Sequence, residues 1–103
     1  MAKPKTDELF GLESYRAGLA SFVGELNRAE EAGKFNDPKH FASMLNYALT
    51  SFKLTASDLA REEEISKAAI SKWMHELAVP PPPTRKTVIN WIKRKTHEQL
   101  DQL

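Results

Sequence analysis

Lys67, Ala68, Ser71, Lys72 and His75 share one face of a segment whose opposite face is apolar. That opposite face, Ile70, Trp73, Met74 and Leu77, follows i, i+3, i+4 and i+7 spacing, the signature of an amphipathic helix. At about 100° per residue the polar set occupies a roughly 140° arc. It offers ammonium, hydroxyl and imidazole groups and one methyl, and it holds no acid. Small residues let a second surface come close, hydroxyls and imidazole hydrogen-bond base edges, and lysine reaches guanine or phosphate. Those are the properties of a helix that enters a DNA major groove. An ordinary solvated face is also polar, so the face by itself leaves both readings open.

Other chemistries have little support. His40, His75 and His97 are far apart and lack the i, i+3 or i+4 pairing of helical metal sites. There is no cysteine, no glycine-rich phosphate loop and no setting for a nucleophile. No catalytic residue, metal ligand or cofactor is expected, and the chain reads as a non-enzyme.

The chain of 103 residues is of the size of one domain, and 41% apolar with 9% aromatic residues is enough for a core. The absence of cysteine fits a reducing compartment. The start, MAKPKTDELF, lacks the apolar run of a signal peptide, and no segment approaches a membrane span, so a soluble, cytoplasmic protein is expected. The overall charge of +1 conceals an asymmetry. From Ile65 to His97, seven basic residues (Lys67, Lys72, Arg85, Lys86, Lys93, Arg94 and Lys95) face one acid, Glu76, a net +6. In Thr55–Glu64, Arg61 stands against Asp58, Glu62, Glu63 and Glu64, a net −3. A basic C-terminal third would draw the protein toward phosphates, although solvated helices also carry such charge.

The elements that must position the polar face follow from periodicity and caps. Residues 1–11 carry little pattern and read as a flexible arm. Leu12, Tyr15, Leu19, Phe22, Leu26 and Ala29 then keep 3-4-3-4-3 spacing, with Val23 beside them, which predicts a helix of about 20 residues. Gly18 and Gly24 each weaken it by about 1 kcal/mol, so packing must hold it. Its stripe covers the chain's own core or, being heptad-like, forms a short seam between protomers. Gly33 suits the helix end, and Asp37-Pro38 starts another helix, Pro38 to about Lys53, with Phe41, Leu45, Ala48 and Phe52 inward. Thr55-x-x-Asp58 is a capping box opening a helix that places Leu59 and Ala60 inward and ends about Glu63. Glu64-Ile65-Ser66 forms the turn, Ser66 caps the next helix, and that helix runs from Lys67 to Leu77. Pro80–Pro83 read as a non-helical spacer. Thr84 caps a last helix with Val88, Ile89 and Ile92 inward and Trp91 alongside, its pattern thinning beyond Thr96. The fold class expected is all-α, about five helices, with no strand. The expected organisation is a single helical domain over residues 12–103, an N-terminal extension (12–35) preceding a core (38–96).

Over Ala48–Lys95 the chain resembles the phage repressor and Cro-like helix-turn-helix regulators, including the xenobiotic-response-element type. The resemblance runs through Leu54-Thr55, Leu59-Ala60, Ile65-Ser66 and Ile70-Ser71-Lys72-Trp73 to Pro80 and Val88-Ile89-x-x-Ile92. It departs at Glu64, where the family usually has glycine, at Met74 and Glu76 after the recognition helix, and in the N-terminal extension. A non-glycine residue at Glu64 either takes a left-handed conformation, at about 1–2 kcal/mol, or the turn differs in shape. The resemblance implies a repressor-like helix-turn-helix core bound to double-stranded DNA. Thr55, Ala56 and Ser57 would meet the phosphate backbone. Ser66, Lys67, Ala68, Ser71, Lys72 and His75 would lie in or beside the major groove, Lys67, Ser71 and Lys72 foremost. Arg85 and Lys86 are candidate phosphate contacts. It implies a transcriptional regulator acting as a homodimer through the Leu12–Ala29 helix or the C-terminal helix, since specificity usually needs two half-sites. The competing expectation is a helical protein-interaction module or regulatory subunit that keeps the fold without binding DNA.

Overall fold

The structure, a computed structural model, describes the backbone of residues 3–102 and the side chains of residues 14–102. Its elements are α1 (Lys3–Glu31), a 3-10 turn at Lys34–Asn36, α2 (Pro38–Ser51), α3 (Ala56–Glu62), α4 (Lys67–Met74) and α5 (Pro82–Gln102). The expected all-α class with five helices is what the backbone adopts, and no strand occurs among the described residues.

The core draws on every helix. Leu19, Phe22 and Leu26 of α1 meet Phe41, Leu45 and Ala48 of α2, Leu59 of α3, Ile70 and Trp73 of α4, and Val88, Ile89, Trp91 and Ile92 of α5. Tyr15 and Ala29 pack against the same cluster, so the α1 stripe from Tyr15 to Ala29 covers the chain's own interior. The side chain of Leu12, the first position of that stripe, lies outside the described residues. Edge-to-face rings bind the layers: Phe41 stacks on Phe35 at 6.4 Å and on Trp73 at 6.0 Å between ring centres. Such pairs add about 0.5–1.5 kcal/mol beyond the area they bury.

The boundaries of α1 and α5 differ from expectation in three places. α1 begins at Lys3, so the helix includes most of the segment expected as an arm; Pro4 falls in the first turn, where a missing amide has no partner to lose. α5 begins at Pro82, within the proline run expected to be non-helical. Pro82 and Pro83 occupy the first turn, and the first backbone bond comes from Arg85 N–H to Pro81 O at 2.8 Å. The rule against proline applies to helix interiors and not to their first turn. α5 also continues to Gln102, past the point where its pattern thins. There Thr96, fully buried, donates its hydroxyl to the carbonyls of Ile92 and Lys93, which removes the penalty of burying it.

Four helices end the same way. Gly33 after α1, Lys53 after α2, Glu64 after α3 and Glu76 after α4 have φ of 71°, 59°, 54° and 62°. Only the first is glycine, the residue that takes this conformation without strain.

Candidate nucleic-acid interface

α3 is fixed at its start by Thr55, whose Oγ1 accepts the Asp58 N–H at 3.0 Å. Arg61 donates to the Asp58 carboxylate at 2.8 Å. The Thr55 hydroxyl first, and Arg61 with it, hold that carboxyl below its ordinary range. Leu59 is buried and Ala60 packs against the core from its edge, both as their spacing requires.

The link to α4 is short. Glu64 turns the chain left-handed, and Ile65 N–H donates to Ala60 O at 3.1 Å, closing α3 in a Schellman arrangement. Ser66 then caps α4, its Oγ accepting the Ala69 N–H at 3.1 Å. Of the two alternatives at Glu64, the chain takes the left-handed conformation.

α4 is shorter than expected. It stops at Met74, not Leu77, because Glu76 takes a left-handed conformation. Leu77 N–H donates to Lys72 O at 2.9 Å and Glu76 N–H to Trp73 O at 3.2 Å, a second Schellman end. The reversal carries Leu77 out of the apolar face to which its spacing assigned it, leaving it 74% exposed. Ile70 and Trp73 keep the inward places. Asn46 on α2, which the sequence did not single out, anchors this end: its Nδ2 donates to Ala42 O and to Met74 O, each at 3.0 Å.

The outer face of α4 is open. Ser66, Lys67, Ala68, Ser71, Lys72 and His75 are all exposed, as are Thr55 and Ser57 at the start of α3. Among the described residues neither Lys67 nor Lys72 is in an ion pair. Ala56, by contrast, is half-buried and packs on the core. His75 closes the helix by donating from Nδ1 to Ser71 O at 2.7 Å.

The basic C-terminal third is arranged differently from its linear count. Lys93 pairs with Glu30 of α1. Lys95 lies 2.8 Å from Glu62, and Arg94 lies 3.3 Å from Glu63 and 3.6 Å from Glu62. Lys95 and then the Trp91 indole, donating at 3.1 Å, hold the Glu62 carboxyl below its ordinary range. Three of the seven cations thus face acids, and Glu62 and Glu63 at the end of α3 lie against α5. Arg85 is also engaged: half-buried, it donates to Asn36 Oδ1 and to Pro80 O, tying the 3-10 turn to the proline segment. Of the two candidate phosphate contacts on α5, Lys86 is the exposed one.

Among the described residues no group of histidines and acids could hold a metal ion, and no helix is long and apolar enough to cross a membrane. No protein-family model, curated protein or solved structure significantly matches the chain.

Proposed function

We propose that this chain is a sequence-specific DNA-binding transcriptional regulator that reads the major groove with α4. One observation carries the proposal: α4 buries Ile70 and Trp73 while exposing Lys67, Ala68, Ser71, Lys72 and His75, with both lysines unpaired among the described residues and no acid on that arc. The neighbouring start of α3 exposes Thr55 and Ser57, small polar residues suited to a phosphate backbone. The acids Glu62 and Glu63 support the same reading by lying against α5, where they do not oppose phosphate.

A single recognition helix spans few base pairs, so the regulator acts as a homodimer on two half-sites about one helical turn apart. Among the described residues both candidate helices turn their apolar faces inward, α1 through Leu19, Phe22 and Leu26 and α5 through Val88, Ile89 and Ile92. Pairing therefore draws on their outer faces. Fluorescence anisotropy against random duplex DNA at two salt concentrations tests the proposal. Binding that weakens steeply with salt supports it, and no binding to any duplex at low salt overturns it.

A specific observation favours the competing reading, a protein-interaction module. A cavity of about 320 Å³ opens between α1 and α2, lined by Phe22, Leu26, Phe35, Met44 and Tyr47, with Tyr47 itself 50% exposed. Apolar surface of this kind suits a protein side chain better than a phosphate. The same titration separates the two readings.

A further inference from the structure

The hydrogen bonds on α4 assign different roles to its exposed polar groups. Lys67 and Lys72 carry only donors, so on a base edge they select acceptors such as guanine O6 and N7. His75 is different. Its Nδ1 lies 2.7 Å from the backbone carbonyl of Ser71, and a carbonyl can only accept. Nδ1 must therefore hold the proton, and in the neutral ring Nε2 is left as a bare lone pair. The Ser71 hydroxyl, 3.4 Å from the same Nδ1, cannot donate to a nitrogen that already bears hydrogen, so it does not disturb this arrangement. The ring is exposed, and Nε2 has no partner among the described residues.

We propose that His75 is a specificity-determining acceptor that selects adenine or cytosine through the exocyclic amine. This rests on the proposal that α4 reads DNA. In the major groove the only base donors are the adenine N6 and cytosine N4 amino groups. Guanine and thymine present carbonyl oxygens there, which would face the Nε2 lone pair and repel it. The preference is therefore both attractive toward one pair of bases and repulsive toward the other. The helix then presents donor-only lysines at Lys67 and Lys72, serine hydroxyls that donate or accept, and an acceptor-only ring nitrogen near its C-terminal end.

The test takes the tightest duplex recovered from a random pool of 20-base-pair sites. Each adenine is replaced in turn by purine and each cytosine by 2-pyrimidinone, which deletes the amine alone. Affinities are measured for the wild-type chain, His75→Phe and His75→Gln, with melting curves to establish that each variant is folded. The expected result is one position per half-site where losing the amine weakens wild-type binding about tenfold or more. At that position His75→Phe is nearly indifferent, while His75→Gln, whose amide oxygen is still an acceptor, keeps the preference. Equal losses in wild type and His75→Phe at every position overturn the proposal, as does a His75-dependent preference for guanine or thymine. Failure of every duplex to bind overturns the DNA reading itself, and is told apart because wild type then shows no salt-dependent binding at all.

Discussion

The Trp91 indole donates to the Glu62 carboxylate at 3.1 Å and so joins α5 to the end of α3. Trp91 is only 1% exposed, and its N–H would be an unsatisfied buried donor without this partner. Glu62 in turn lies 2.8 Å from Lys95. One carboxylate thus satisfies a core aromatic and neutralises part of the basic helix, holding α3 at a fixed distance from α5. Because α4 hangs from α3 by four residues, the same contact sets where the polar face points.

Glu62 makes stability depend on pH in a defined direction. Lys95 and Trp91 lower its folded pKa beneath an ordinary value near 4.5. Its contribution is therefore fully present above that ordinary value and is lost as pH falls through the lowered folded value. Asp37 and Asp58 are shifted the same way, Asp37 chiefly by His40 and Asp58 chiefly by Thr55. Urea midpoints should fall between pH 5 and pH 3 for the wild type and fall less for Glu62→Gln (the window follows the ordinary carboxylate range, about 4). A Glu62→Gln variant with an unchanged decline would show that this carboxylate does not carry the effect.

Glu64 and Glu76 hold left-handed conformations that suit glycine. Relief of about 1–2 kcal/mol, less the roughly 0.4–1 kcal/mol that glycine adds to the entropy of the unfolded chain, leaves a net gain. Glu64→Gly and Glu76→Gly should each raise the melting temperature by a few degrees, on the scale of about 4–8 °C per kcal/mol for a domain this size. Glu64→Val should lower it, since a β-branched residue fits the left-handed region worst.

Inward and outward residues around the end of α4 should separate cleanly. Trp73→Ala should destabilise by about 3–5 kcal/mol, a large share of the roughly 5–15 kcal/mol that holds such a domain together. Asn46→Ala should cost about 1–3 kcal/mol by leaving the Met74 carbonyl without this donor. Leu77→Ser should be neutral within about 0.5 kcal/mol, because Leu77 contributes little buried area. Denaturant titration reads all three, and a large loss for Leu77→Ser would mean that the side chain is covered in solution.

Much of the fold was legible in the sequence because it is encoded locally. The 3-4 spacing of Leu19, Phe22 and Leu26 identified buried positions, and Asp37, Thr55 and Ser66 cap their helices as their residue types predict. Beyond the starts of α1 and α5, what escaped was of two kinds. Periodicity carried α4 through Leu77, since the apolar spacing continues after the backbone has reversed at Glu76. Contacts between distant residues left no local mark: Lys93 with Glu30, Trp91 with Glu62 and Asn46 with Met74 join positions 63, 29 and 28 residues apart. That second kind altered the view of the candidate site. A net +6 counted along the chain is not a +6 surface when Glu30, Glu62 and Glu63 lie against it. The residues expected on the outer face of α4 are exposed, whereas Ala56 on α3 and Arg85 on α5 are drawn partly inward by the fold.

The most direct test is the salt dependence of DNA binding by the wild type, Lys67→Ala, Lys72→Ala and Lys93→Ala. Lys67 and Lys72 are exposed and unpaired among the described residues, whereas Lys93 is paired with Glu30. Each phosphate contact contributes about −0.9 to the slope of log affinity against log salt, and a lost base contact weakens specific binding by about 1–3 kcal/mol. Lys67→Ala and Lys72→Ala should therefore bind the selected duplex at least several-fold more weakly, with unchanged melting temperatures. Lys93→Ala should leave the slope unchanged and lower stability slightly. Equal affinities for all four proteins, or salt-independent binding by the wild type, would contradict major-groove reading by α4.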